Sequence, residues 1–370
     1  MHPTHAEISL SAFRHNLSSV RAYCAPSVKI MAIVKANAYG HGVLELSREA
    51  VRGGVAYLAV ARVEEGLEIR RAGISLPILV FENAPERSIE PALAENLELS
   101  LSSFGAAELV SKVAGRMGRT ASVHLKADTG MGRLGISGKN APEEIERALR
   151  LPHLSLGSVY SHLATSEEPD STYAREQLKR FTFILEELQR RKIEVPCRHI
   201  ANSGAIMKLP ESHFDMVRPG ILLYGLTPSE GMSEPHPMRP VMSLLSWVSM
   251  IKEIEAGTSI SYGRRFTAKL RTKIGVVPIG YADGYSRLLS NRGYVLIGGR
   301  RYRVAGSVSM DHITVDLGSD PPCSAGDTVT LIGKDGNERI TAWEIAKLCG
   351  TIAYEVTCLV STRLERVFVE

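Results

Sequence analysis

The stretch "VKIMAIVKANAYGHG", residues 28–42, decides the fold. Val28 to Ala36 reads as a buried strand, because apolar and β-branched residues dominate and Asn/Gly punctuation follows. The run nevertheless carries Lys35 near its end. A lysine is rarely buried alone, since taking its ammonium out of water costs several kcal/mol or forces its pKa down. Two readings stand open here. Either Lys35 snorkels to water from a strand end, or its amine is kept ready to form a Schiff base with a carbonyl.

Working outward, apolar strand-like runs alternate with helix-like segments from residue 29 to about 225. The strand candidates are "KIMAIVKA", "AYLAVARV", "PILVF", "LELSLSS", "ASVHLKAD", "LGSVYSHL", "CRHIANS" and "MVRPGILLYG". Segments such as "LELSREAVRGG", "FGAAELVSKVAGRMG" and "YAREQLKRFTFILEELQRRK" lie between them, and the helix "SAFRHNLSSVRAYC" precedes the first. Eight strands joined by helices predict a parallel sheet, and eight is the number that closes a (β/α)8, or TIM, barrel. A doubly wound open sheet is the runner-up. After the Pro/Gly/Ser-rich "YGLTPSEGMSEPHPMRPVM" the pattern turns to alternating strands with one short helix, "TAWEIAKLCG". We therefore expect a barrel domain at 1–237 and a mainly β domain at 238–370, with the first residues able to pair with the β domain.

Composition narrows the function. Hydrophobic residues make up 44% and charged residues 23% of the 370, as in ordinary globular proteins. A net charge of +4 with no basic block argues against nucleic acid. No run reaches membrane-spanning length, and "MHPTHAEISL" lacks the regions of a signal peptide, so a cytoplasmic protein is expected. The five cysteines form no C-x-x-C pair, which fits reduced thiols and no metal site.

In barrels of this kind the reacting groups sit at the C-terminal strand ends. Lys35 with Tyr39 ends strand one, "KADTGMGR" strand five, His162 strand six, and Asn202 with Ser203 strand seven, while Arg218 to Ile221 lie on strand eight. Each has a plain alternative: strand histidines are often hydrogen-bonded core residues, and "NSG" is a common helix entry. Their convergence on one mouth favours a site. The loops after strands seven and eight are a frequent phosphate site, and Ser203-Gly204 and Gly220-Ile221 offer a hydroxyl and approachable N–H groups there. An aldehyde cofactor with a phosphate tail beside a strand-end lysine is pyridoxal 5′-phosphate. "GMGRLG" (130–135) matches G-x-G-x-x-G but falls in the fifth strand's loop, so no dinucleotide site is expected.

The motifs "AIVKANAYGHG", "KADTGMGRLG", "SHLATSE", "HIANSGA", "VRPGILLYG", "SISYGRRF", "PIGYADGY", "GSVSMDHITVD" and "AYEVTC" resemble the alanine racemases, fold-type III pyridoxal phosphate enzymes, along the whole chain. The resemblance implies interconversion of L- and D-alanine by two bases, supplying D-alanine for peptidoglycan. Lys35 would hold the cofactor and act on the D-enantiomer, and Tyr262 on the L-enantiomer. A free phenol titrates near 10 and is a poor base at neutral pH, so such a base needs a cation or donors beside it. The resemblance gives that task to His162, itself held by Arg218, which would also face the cofactor's ring nitrogen. Tyr39, Tyr354, Ser203, Gly220 and Ile221 would bind phosphate; Arg133 and the Met310 backbone would bind the substrate carboxylate. Asn202 would support the site. Lys126 is either carbamylated, as in some members, or an ordinary surface lysine, and Asp311 has no fixed role. Tyr262 and Met310 would reach the other subunit's site, making the unit a homodimer with shared active sites. Two alternatives remain in view: a related racemase for larger amino acids such as serine, lysine and arginine, and a non-catalytic pyridoxal phosphate carrier. Carriers end after the barrel, whereas this chain continues through an entire β domain.

Overall fold

The computed structural model describes residues 3–138, 140–232 and 235–370. They divide into two compact units: Phe13–Ala38 with Val43–Arg239, and the described residues up to Ala12 with Tyr39–Gly42 and Pro240–Glu370.

After β1 (His5–Ser9), the strands are β2 (Lys29–Ile33), β3 (Tyr57–Val60), β4 (Ile78–Val80), β5 (Glu98–Leu101), β6 (Ala121–Asp128), β7 (Ile136–Ser137), β8 (Leu154–Tyr160), β9 (Arg198–His199) and β10 (Met216–Val217). Eight of them pair in the order β10-β2-β3-β4-β5-β6-β8-β9, all parallel, with β7 attached to β6. Hydrogen bonds from Asp215 N to Arg198 O (3.1 Å) and Arg218 N to Ala201 O (3.0 Å) draw the two end strands together. The result is a nearly closed (β/α)8 barrel. Ile78, Leu79 and Val80 are fully buried, because a parallel strand with helices outside and side chains inside meets water on neither face. The outer helices bury one stripe: on Thr172–Arg190 it is Ala174, Gln177, Phe181, Ile184 and Leu188, spaced three or four apart.

Several strands are shorter than the sequence pattern suggests, and three of them bear on the site. "CRHIANS" and "MVRPGILLYG" contribute two residues each, and Arg218 to Ile221 lie beyond the strand, leading into a 3-10 turn at Ile221–Tyr224. The first strand stops at Ile33 rather than Ala36. Ala36, Asn37, Ala38 and Tyr39 then run at φ values of 53°, 52°, 53° and 54°, one turn of left-handed helix. For side-chain-bearing residues this geometry costs roughly 1–2 kcal/mol each, so neighbours must hold it. Glu65 does much of that. Its carboxylate accepts from Ala36 N at 2.6 Å, Ala61 N at 2.8 Å and Arg62 N at 3.0 Å. Asn37 Oδ1 accepts from Val43 N at 2.8 Å and closes the turn from the other side.

The second unit is a largely antiparallel sheet. Its order is Met250–Ile254, Thr272–Val277, Ile313–Gly318, Arg300–Val304, Tyr294–Ile297, Thr328–Asp335, Met242–Trp247, β1 and Glu365–Val369. Strand Met242–Trp247 alternates buried and part-buried positions, as a sheet with one packed face should. β1 pairs antiparallel with Met242–Trp247 and parallel with Glu365–Val369. A second helix, Ala353–Cys358, follows the expected one at Ala342–Cys349. Gly40 and Gly42 pack inside this unit: a Cβ on Gly40 would stand 2.2 Å from Thr357 O, and Gly40 O accepts from Arg366 Nε at 3.0 Å.

Because one carboxylate serves three backbone N–H groups, Glu65→Ala should destabilise the protein by about 2–4 kcal/mol, and Glu65→Gln, which keeps an accepting oxygen, by roughly half that. Urea unfolding followed by circular dichroism measures both; an unchanged midpoint in Glu65→Ala would remove this carboxylate from the account.

Candidate active site

The C-terminal ends of the barrel strands carry Lys35 after β2, Arg133 after β6, His162 after β8, Asn202 and Ser203 after β9, and Arg218, Gly220 and Ile221 after β10. Lys126 sits inside β6. At their centre Arg218 is 3% exposed. A buried cation needs compensation, and here dipoles supply it. Its Nη2 donates to Ser161 O (2.7 Å), Ile200 O (3.1 Å) and His162 Nδ1 (3.2 Å), and its Nη1 to His199 Nδ1 (2.8 Å). Burial draws Arg218 down to about 10, so it remains a cation at neutral pH. Guanidinium has only donors. Both imidazoles must therefore turn an unprotonated Nδ1 towards it, which leaves the proton of each neutral ring on Nε2.

Desolvation keeps His162 neutral, holding its pKa well below the usual range; Arg218, Lys126, Arg133 and Lys35 push it further in the same direction. Four cations thus bear on one imidazole, and the barrel mouth gathers positive charge suited to an anion. Lys126, 5% exposed, lies with its Nζ 5.7 Å above the Tyr160 ring. Burial first, then Arg133, Arg218 and Lys35, lower it to about 8, against a raising pull from Asp128. The surface-lysine reading therefore fails for this side chain.

Arg133 is exposed at the end of a loop built by Asp128, whose Oδ1 accepts from Gly130 N (2.9 Å) and Met131 N (2.9 Å), while Oδ2 accepts from Gly132 N (3.0 Å). The glycines of "GMGRLG" serve this folding: a Cβ on Gly135, at φ 134°, would stand 2.6 Å from Asp128 N. Ser203 Oγ accepts from Gly220 N at 3.0 Å. The Gly220 N–H is thus already engaged, whereas the Ser203 hydroxyl proton and the Ile221 N–H bond to none of the described residues. Asn202 caps the helix Ser203–Lys208 by accepting from Ala205 N at 3.1 Å, and accepts from Ser166 Oγ at 2.6 Å; both are structural tasks.

The remaining candidates belong to the second unit. Tyr262 is 75% exposed and Met310 52%. The Tyr262 backbone is pinned: Ser307 Oγ donates to Tyr262 O at 3.0 Å, and Ser261 Oγ accepts from Ser307 N at 2.9 Å. Met310 O accepts from Ala282 N at 3.1 Å, and the Met310 N–H bonds to no described residue. Asp311 accepts from Arg363 Nη2 at 3.0 Å, an ion pair within this unit. The rings of Tyr39 and Tyr354 stand 6.1 Å apart, and burial pushes the Tyr39 hydroxyl up.

Sequence reasoning missed His199 and Tyr160. His199 bonds Arg218 directly, and Tyr160 stacks on His199 with centroids 4.9 Å apart and planes within 9°. The available signal was a set of polar residues at interior positions of "ASVHLKAD", "LGSVYSHL" and "CRHIANS", where only the strand ends were weighed. Among the described residues no cluster of His, Cys, Asp and Glu could hold a metal, and no helix is long and apolar enough to cross a membrane.

Comparison with known proteins gives one answer. The family "Alanine racemase, N-terminal domain" matches residues 8–228, and "Alanine racemase, C-terminal domain" matches 241–368. The chain is 42% identical over 369 residues to an alanine racemase of Methanococcus maripaludis, covering 99% of each. It is 43% identical to one of Symbiobacterium thermophilum, covering 100% of this chain and 97% of the other. Among solved structures, an alanine racemase of Clostridium difficile 630 superposes with a TM-score of 0.95 at 37% identity, covering 100% of this chain and 96% of the other. One from Bacillus anthracis with bound L-Ala-P gives 0.94 at 35% identity, with coverage of 100% and 96%.

A lysine lowered to about 8 is about half neutral at pH 8, where an ordinary lysine is less than about 1% so. Only the neutral amine adds carbon dioxide, and the resulting anion would sit among cations. With 13C-bicarbonate, a carbamate signal is expected at pH 8.5, fading as the pH falls through about 8 and absent from Lys126→Arg. No signal at pH 8.5 would show that Lys126 remains an amine.

Proposed function

Since the chain belongs to the alanine racemase family and its reaction is the interconversion of L- and D-alanine, we propose that two acid–base groups, Lys35 and Tyr262, work on opposite faces of bound pyridoxal 5′-phosphate. The observation that carries this reading is the cationic barrel mouth around Lys35, His162 and Arg218. The residues fit the cofactor: the Ser203 hydroxyl proton and the Ile221 N–H are open to a phosphate, and the Arg218 Nε–H bonds to no described residue. When bound, the cofactor supplies a carbonyl that takes up the substrate amine and a ring that spreads the charge left by the departing α-proton.

The chain's own residues do the rest. Lys35 anchors the cofactor, then exchanges a proton with the α-carbon on one face, on the D-enantiomer. Tyr262 Oη does so on the other, on the L-enantiomer. Racemisation needs both, because a single base returns the proton to the face it came from. The neutral His162 ring has its proton on Nε2, so it can donate to the phenol oxygen and stabilise negative charge there. Arg218 would face the ring nitrogen with an N–H that it does not transfer, so that nitrogen would stay unprotonated, and this would favour return of the proton to the α-carbon over transamination. Arg133 and the Met310 N–H hold the substrate carboxylate, with a carbamylated Lys126 orienting Arg133. Tyr39 and Tyr354 join Ser203, Gly220 and Ile221 at the phosphate; the Gly220 contribution runs through its bond to Ser203.

An exposed phenol and an exposed Met310 on the same unit suit a surface that completes another subunit's site. The functional unit is then a homodimer in which Tyr262 and Met310 of one subunit serve the barrel of the other. Such an enzyme works in the cytoplasm and supplies D-alanine for peptidoglycan.

Lys35→Ala and Tyr262→Phe should each be nearly inactive. Mixed under conditions where differential tags demonstrate subunit exchange, about half the dimers are hybrids, each with one intact site of two, so activity should return to roughly a quarter of wild type. No recovery after demonstrated exchange would place both bases in the same subunit and overturn the shared site.

A further inference from the structure

A line of hydrogen bonds runs from Arg218 through the barrel interior to the opposite end of β5. Arg218 Nη1 meets His199 Nδ1 at 2.8 Å, and His199 Nε2 meets Ser158 Oγ at 2.8 Å. Ser158 Oγ meets His124 Nδ1 at 2.6 Å, and His124 Nε2 meets Glu98 Oε2 at 2.5 Å. Ser158 and His199 are fully buried and His124 is 1% exposed. Strand register makes the line possible. His124 and Ser158 are direct partners across β6 and β8, and Glu98 opens the neighbouring β5.

Every proton on this line can be assigned. Arg218 can only donate, so His199 Nδ1 accepts and the His199 proton lies on Nε2. His199 therefore donates to Ser158 Oγ. Among the described residues Ser158 Oγ has only these two partners, and a fully buried hydroxyl proton left unbonded is costly, so that proton goes to His124 Nδ1. His124 then carries its proton on Nε2 and gives it to the Glu98 carboxylate. All four bonds point the same way, from the guanidinium to the carboxylate, and such a run is strengthened by mutual polarisation. It cannot serve as a proton wire from Arg218, because the cation at its head has no proton to release.

We propose that Glu98, His124 and Ser158 are positioning residues. By terminating the line with an obligate acceptor at the end opposite Arg218, Glu98 fixes the tautomer of His124 and reinforces the one that Arg218 selects on His199, and so keeps Arg218 Nη1 bonded to His199. Reversing the line would put a proton on His199 Nδ1, facing a donor, and the guanidinium would have to turn away. The effect on tautomers follows from the barrel alone; the effect on the reaction rests on the assignment of Arg218 to the cofactor ring.

The test uses full-length enzyme, loaded with pyridoxal phosphate and labelled with 15N-histidine, in wild type, Glu98→Gln and Glu98→Leu. In wild type both His124 and His199 should carry their proton on Nε2. Glu98→Gln keeps an accepting oxygen and should preserve this pattern, with the ratio of pyruvate formed to alanine racemised within about twofold of wild type. Glu98→Leu should shift His199 from the single Nε2–H form and raise that ratio about fivefold or more. A wild-type His199 protonated on Nδ1 would overturn the proposal, and so would a Glu98→Leu protein whose His199 signals match wild type; the first result needs no variant to fold. Altered His199 tautomers with an unchanged pyruvate ratio would keep the positioning line and refute the Arg218–ring assignment instead.

Discussion

A guanidinium sealed into the mouth of a parallel barrel, with no carboxylate among the described residues directly bonded to it, constrains everything near it. Arg218 is compensated by the carbonyls of Ser161 and Ile200 and by the lone pairs of His162 and His199. Those carbonyls are positioned by the ends of β8 and β9, so barrel closure and site geometry are one problem. Because arginine only donates, it dictates which nitrogen of each neighbouring imidazole is bare. The same cation helps to keep His162 neutral and Lys126 near 8. Replacing it with lysine would keep a charge but lose the fork that addresses four acceptors at once.

The turn after Lys35 is the second commitment. Four successive residues at φ 52–54° are unfavourable locally. They persist because Glu65, Asn37 and the packing of Gly40 hold them from several sides. Strain of this kind is concentrated where chemistry needs an exact placement, and here it lies between Lys35 and Tyr39.

Much of this was legible in the sequence. Parallel strands buried on both faces announce themselves as unbroken apolar runs, and the polar residues that end them stand out, so the barrel and residues such as Lys35, His162 and Arg218 could be found by position. The left-handed turn could not, because Ala36 and Ala38 adopt it only under tertiary constraint. The two-residue strands at Arg198–His199 and Met216–Val217 escaped for a related reason: apolar composition marks what is buried and not where pairing stops. The line from Glu98 to Arg218 depends on which residues face each other between strands far apart in sequence, and no periodicity encodes that register. Tyr262, exposed on the second unit, was reached through family likeness alone; by composition it would pass for a surface tyrosine.

The central claim is that a donor-only cation at the ring nitrogen keeps the chemistry on racemisation. The direct measurement is the ratio of pyruvate formed to alanine racemised in Arg218→Glu, with cofactor occupancy confirmed by absorbance. A carboxylate there would hold a proton on the ring nitrogen, and the ratio should rise about tenfold or more while racemisation slows. An unchanged ratio in a fully loaded protein would contradict the account.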